Sequence, residues 1–168
     1  MTVSAAPSPR VGFLRENRQR SALALLIGAA LLLVLTQTNA VPFYGTPFIV
    51  GLSYLAAAAV AGRSGALWAP GIITTCWGIA VLLGARDVVP GNKTSYVIAG
   101  AAGIGLALAL RFTIGLAAGW IGVVVSFAAI ALYDNPYAPS WIFHGSTFAA
   151  LLAGWGLWDL RPARRPPT

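Results

Sequence analysis

Six apolar stretches separated by short polar joins constrain this chain more than any other feature. They run approximately over Ser21–Ala40, Pro47–Gly62, Ala66–Ala85, Ser95–Leu110, Phe112–Tyr133 and Trp141–Leu160. A helix needs ~17–25 predominantly apolar residues to cross about 30 Å of hydrocarbon, and each stretch approaches that length. The second and fourth are short, and their flanking Tyr, Thr and Ser residues would complete the span near the headgroups. All six are rich in Ala and Leu and lack period-two alternation, which argues against strands. Hydrophobic residues make up 58% of the chain and charged residues 9%, with mean hydropathy +0.77. Soluble domains carry about 25% charged residues, so a soluble fold of this length would lack a polar surface. The expected fold class is all-α, a polytopic membrane bundle of six transmembrane helices whose first partner is the lipid bilayer.

The joins set the organisation. Gly62-Arg63-Ser64-Gly65 and the lone Arg111 read as very tight turns. Thr38–Thr46, Arg86–Thr94 and Asp134–Ser140 are longer and carry Pro42, Pro90, Pro136 and Pro139, residues that stop helices and set turns. The net charge of +7 does not point to nucleic acid, because the basic residues flank the apolar stretches. With the N-terminus inside, the inner side carries Arg10, Arg15, Arg18, Arg20, Arg63, Arg111, Arg161, Arg164 and Arg165, and the outer side only Arg86 and Lys93. The positive-inside rule then favours both termini in the cytoplasm and an even number of spans, in the plasma (inner) membrane. The expected domains are a basic N-terminal segment over 1–20, a six-helix transmembrane domain over 21–160 and a basic, Pro-rich tail over 161–168. The first stretch and Thr38-Asn39-Ala40 also have features of a cleavable signal. The stretch fits a retained helix as well, and a retained helix is expected here.

Sliding the chain against itself by 48 residues brings Val41-Pro42 onto Val89-Pro90, Thr46 onto Thr94, Arg63 onto Arg111 and Gly71 onto Gly119, among ten identities over positions 41–84. A shift of 94 gives a fainter third copy. The implied unit is a two-helix hairpin present three times, related by an axis along the membrane normal. Small residues let membrane helices approach closely. Gly115-Leu-Ala-Ala-Gly119 and the Ala101, Gly105, Ala109 series are candidates for helix contact or for a homo-oligomer face. Trp68, Trp141, Trp155, Trp158, Tyr44, Tyr96, Tyr133 and Tyr137 lie near the ends of the stretches, as an aromatic belt would require. Trp77 and Trp120 lie deeper.

Residues able to carry chemistry are few. Glu16, Asp87, Asp134 and Asp159 are the acids, and all fall at or beyond the ends of the stretches. An ionisable group within the membrane would mark a functional site, and no acid sits there. Lys93 is the only lysine and sits in a join, which excludes a retinal Schiff base. One His, one Cys and one Met supply neither paired axial haem ligands nor a zinc site. There is no nucleophile elbow and no Gly-rich phosphate loop. No cofactor, metal or enzymatic activity is expected. The candidate pathway residues are His144, Ser146 and Thr147 near the start of the sixth stretch, and Thr74 and Thr75 in the third. His144 titrates in the accessible range and has Asp134 as a possible neighbour. For Thr74 and Thr75 the competing structural role is to satisfy a carbonyl freed by Pro70.

Gly51-Leu-Ser-Tyr54-Leu-Ala-Ala-Ala58 followed by Trp68-Ala-Pro70 resembles a segment of the amide/urea channel family, over about 20 of the 168 residues. That resemblance implies a six-span protomer of repeated hairpins around a pore. The family begins with its N-terminus outside and pairs helices across cytoplasmic turns, the opposite phase from the one expected here. Two functional expectations follow. The first is a channel or facilitator for a small neutral or weakly charged solute. The second is a non-catalytic accessory subunit of a larger membrane complex.

Overall fold

The computed structural model describes residues 9–117, 120–133, 137, 139–140 and 144–160. Among them are six α-helices and no strands. The helices are α1 (Pro9–Gln37), α2 (Thr46–Ala61), α3 (Trp68–Gly84), α4 (Lys93–Ile114), α5 (Trp120–Leu132) and α6 (Gly145–Leu160), with a single 3-10 turn over Phe43–Gly45 before α2. Asn17–Gln37, Phe43–Ala61 and Lys93–Ile114 are long and apolar enough to cross a membrane. At 17 residues α3 reaches about 26 Å, from 1.5 Å of rise per residue.

Two boundaries differ from the sequence reading. Helix α1 begins at Pro9 rather than Ser21, so part of the basic N-terminal segment is continuous with the first apolar run. Arg111 is not a turn. It occupies the last turn of α4, which continues to Ile114 and ends on Gly115 in the left-handed conformation (φ 72°). Glycine pays no Cβ penalty there, and a cation in the last turn suits the negative end of the helix dipole. Gly115 is therefore a helix cap and not part of a packing face, while Gly119 lies outside the described residues. The tail arginines Arg161, Arg164 and Arg165 also lie outside them.

Helices α1 and α3 end on the same device. Asn39 (φ 51°) and Asp87 (φ 57°) take up the left-handed conformation that short polar side chains tolerate. The Ala40 N–H donates to the Leu35 carbonyl at 3.0 Å and the Val88 N–H to the Leu83 carbonyl at 3.0 Å. Donors and acceptors of the two caps are 48 residues apart. Helix α4 starts on Asn92, whose side chain accepts the Ser95 N–H at 2.9 Å, a common N-cap arrangement.

Packing divides the helices into two groups of three. Leu25, Ala29 and Leu32 of α1, Val50 and Ala57 of α2, and Ala149 and Leu152 of α6 form one apolar cluster. Ile73, Trp77 and Val81 of α3, Tyr96 of α4 and Ile130 of α5 form another. The α2–α3 contact joins the two groups, and glycine makes it close: a Cβ on Gly51 would fall on the Thr75 backbone and one on Gly78 on the Phe48 backbone. Helix α6 lies along α1, and α5 lies on α3 and α4. A packed hairpin of α5 with α6 is not the arrangement seen. The first apolar run, with Ala22, Leu25 and Leu32 fully buried, is a structural part of the core.

Neighbouring helices alternate in direction, so the joins collect at two ends. At one end the Arg18 guanidinium meets the Asp159 carboxylate at 3.4 Å, tying the start of α1 to the end of α6. There too the Ala117 N–H donates to the Arg63 carbonyl at 3.0 Å, linking the α4–α5 join to the α2–α3 turn. At the other end Phe43, Tyr133 and Phe148 meet beside the α3–α4 join.

Candidate functional site

The two helix groups do not close completely on each other. Between them lies a cavity of about 60 Å³, walled by Pro47, Val50 and Tyr54 of α2, Thr74 and Trp77 of α3, Val125, Ser126 and Ala129 of α5, and Phe148 and Leu151 of α6. None of these side chains carries a charge at neutral pH. The hydroxyls of Thr74 and Ser126, 4% and 5% exposed, face each other at 3.3 Å across the α3–α5 contact. The Trp77 indole nitrogen is buried and has no hydrogen-bond partner among the described residues. An unpaired N–H in an apolar interior costs roughly 1–3 kcal/mol. Water needs about 10–15 Å³ of such space and two or more polar partners, and this cavity offers both.

Both ends of the cavity have identifiable boundaries. Towards the aromatic end, Phe148 packs on Phe43 (6.2 Å between centroids), Trp77 presents an edge to Tyr133 (5.2 Å), and Tyr133 stacks on Phe43 (5.7 Å) and meets the edge of Tyr96 (5.6 Å). Such pairs are worth ~0.5–1.5 kcal/mol each beyond area burial, which makes the cluster a firm stopper. Towards the basic end lies a much larger cleft of about 1070 Å³ between Asn17, Arg18 and Ser21 of α1, the α2–α3 turn and the last turns of α6. Leu151 belongs to the walls of both spaces. Beside it, Tyr54 of the cavity packs on Trp155 of the cleft with centroids 6.1 Å apart.

The residues expected to form a pathway fall in two places. Thr74 lines the cavity. Thr75 is one position round the helix, wedged against Gly51, and its buried hydroxyl has no partner among the described residues. The structural role considered for this pair is not the one observed. Pro70 lies in the first turn of α3, where no intrahelical bond is lost, and the hydroxyl of Thr74 reaches Ser126 instead. His144, Ser146 and Thr147 sit at the start of α6 and are not among the cavity's lining residues. His144 is exposed, with its Nδ1 3.0 Å from the Ser140 carbonyl, and its own carbonyl accepts the Thr147 N–H at 3.0 Å. Its expected neighbour Asp134 lies outside the described residues.

Ser126, Tyr54 and Leu151 were not singled out from the sequence. Ser126 is the lone hydroxyl in Trp120-Ile-Gly-Val-Val-Val-Ser-Phe-Ala-Ala-Ile-Ala-Leu132, which is a legible mark. The 48-residue register would have paired Thr74 with Gly122, one helical turn away from it. Gly122 itself receives the Pro70 ring, since a Cβ there would overlap it. That contact brings α5 close enough for Ser126 to reach Thr74.

No family model, no curated protein and no solved structure matches this chain. The likeness to the amide/urea channels thus rests on the quoted residues alone.

Proposed function

We propose that the chain is an integral membrane protein whose six helices all cross the bilayer, with both termini cytoplasmic, and that it passes a small neutral solute through the space between its two helix groups. The observation that carries this reading is the cavity itself. It is uncharged, lined by the Thr74–Ser126 hydroxyl pair and the Trp77 side chain, and separated from the basic-end cleft by Leu151. Dehydrating an ion there would go uncompensated, whereas a neutral hydrogen-bonding molecule would exchange water contacts for hydroxyl and indole contacts. The route runs from the cleft past Leu151 and Tyr54 to the aromatic stopper, which holds the far side closed in this state. Neither catalysis, a cofactor nor nucleic acid enters this reading, and the setting is the plasma (inner) membrane.

The matching caps at Asn39 and Asp87 support an internal repeat at the 48-residue register. So do the ends of α3 and α5 at 84 and 132. The repeat reading is of hairpins that begin with α1–α2 and α3–α4, framed by a basic N-terminal segment and a basic tail.

Stopped-flow flux into proteoliposomes, with water, ammonia, urea and glycerol as solutes, tests the proposal. Wild-type protein should accelerate at least one of them over empty vesicles. Leu151→Ala should raise that flux and Ser126→Leu should abolish it. His144→Ala, remote from the cavity, should leave it unchanged between pH 5 and 8. Folded protein that passes none of the four, in wild type and in Leu151→Ala, would favour the second reading, an accessory subunit or homo-oligomer. That reading draws on α4, where Ala101, Gly105 and Ala109 face outwards and a Cβ on Gly105 would meet nothing within 4 Å.

A further inference from the structure

The cleft at the basic end is built for a molecule that is anionic at one end and apolar along its length. Its floor is apolar: Leu67, Leu151 and Trp155 line it, and Gly154 leaves it deep, because a Cβ there would meet nothing within 4 Å. Its rim is cationic. Arg18 and Arg63 both line the opening. Arg18 is bridged to Asp159, the one carboxylate among the described lining residues. Arg63 is exposed and has no ion-pair partner among the described residues. Among the described residues the rim therefore keeps an uncompensated positive charge above an apolar floor, at the end of the molecule that holds the α2–α3 turn.

We infer that this cleft binds an anionic glycerophospholipid, with its phosphate at Arg63 and an acyl chain along Leu151 and Gly154. Basic pockets between membrane helices on the cytoplasmic side recognise such headgroups by charge. The long Arg stems lie along apolar surface while their heads reach the headgroup layer. Charge also discriminates between occupants. The chain's own tail, Arg-Pro-Ala-Arg-Arg-Pro-Pro-Thr168, has the same sign as the rim and would be repelled from it. The site stands apart from the transport reading, since lipid preference is measured without any solute.

The test uses the full-length protein in bilayers of equal parts phosphatidylglycerol and phosphatidylcholine, with one or the other carrying brominated acyl chains. Bromine quenches tryptophan fluorescence at contact, and Trp155 lines the cleft. Brominated phosphatidylglycerol should quench more strongly than brominated phosphatidylcholine. Arg63→Gln should reduce that preference about fivefold, the share expected for one cation near the headgroups. Gly154→Leu, which fills empty space without a clash, should reduce it as well. Equal quenching by the two lipids in wild type would overturn the proposal. So would a preference that survives both substitutions. A preference that disappears when the protein is diluted in lipid would assign the cleft to a second copy of the chain, and also overturns it.

Discussion

At the residue scale the conspicuous groups and the useful ones are different. His144 stands out in the sequence as the only histidine, yet it is exposed at the start of α6 and bonded to its own segment. The cavity is built instead from groups that look ordinary in a list: a Thr, a Ser, a Tyr and a Trp. Trp77 was legible as a deep aromatic, but its partners were not, because pairing Thr74 with Ser126 is a tertiary fact 52 residues apart. Tyr96 and Tyr133 likewise read as belt residues, whereas Tyr133 turns inwards onto Trp77 and Phe43, and Tyr96 packs on Tyr133. Tyr137 and Trp158, 93% and 62% exposed, remain where a belt would put them. Hydrogen bonds between membrane helices couple by about 0.6 kcal/mol on average and rarely above ~1.7. Thr74→Val, Ser126→Ala and the double substitution should therefore show a coupling of about 0.6 kcal/mol, measured by reversible unfolding in bicelles. Strict additivity would mean that the 3.3 Å hydroxyl contact contributes nothing.

At the element scale the helices were legible because each belongs to a long apolar run and because Gly and Pro mark most of their ends. The error at the fourth and fifth stretches has a clear physical source. A lone arginine between two apolar runs looks like a turn. The last turn of a helix holds it equally well, since the Arg stem is apolar and its charge favours the helix C-terminus. The glycine four positions later carried the true boundary. Glycines within the helices differ in what surrounds them, and sequence does not tell them apart. At Gly78 a Cβ would fall on the Phe48 backbone, while at Gly105 it would meet nothing within 4 Å. Gly78→Ala should thus destabilise the fold by about 1–3 kcal/mol, the range for overpacking a tight contact. Gly105→Ala should stay within ~0.5 kcal/mol, as an open surface position does. Thermal unfolding in detergent measures both. A large loss at Gly105 would show that α4 is covered by another protein, which favours the accessory reading.

At the scale of the whole molecule, the proposed orientation rests on charge, and the packing shows which joins share an end. The sequence supports it through the count of basic residues on each side, which depends only on the order of the joins. The structure supplies the geometry: Arg18, Arg63 and Asp159 surround one cleft, the Ala117–Arg63 hydrogen bond places the α4–α5 join at that same end, and the aromatic cluster closes the other. The even number of helices follows from both termini of the bundle, Arg18 and Asp159, meeting there. What the sequence did not reveal is how α5 and α6 are placed. The hairpin idea joins them because they are neighbours in the chain, while the buried faces send α6 to α1 and α5 to α3 and α4. Orientation can be checked one residue at a time in a Cys76→Ala background, which removes the sole native thiol. Lys93→Cys should react with a membrane-impermeant maleimide in intact cells, and Arg63→Cys only after the membrane is opened. The reverse pattern would turn the molecule over, placing the cationic cleft at the outer leaflet and the aromatic stopper in the cytoplasm. Reaction of both in intact cells would place the two joins on one side, with an even number of crossings between them. Helix α3, which alone lies between the two positions, could not then traverse the bilayer, and the cavity between the helix groups would lose its place on a transmembrane route.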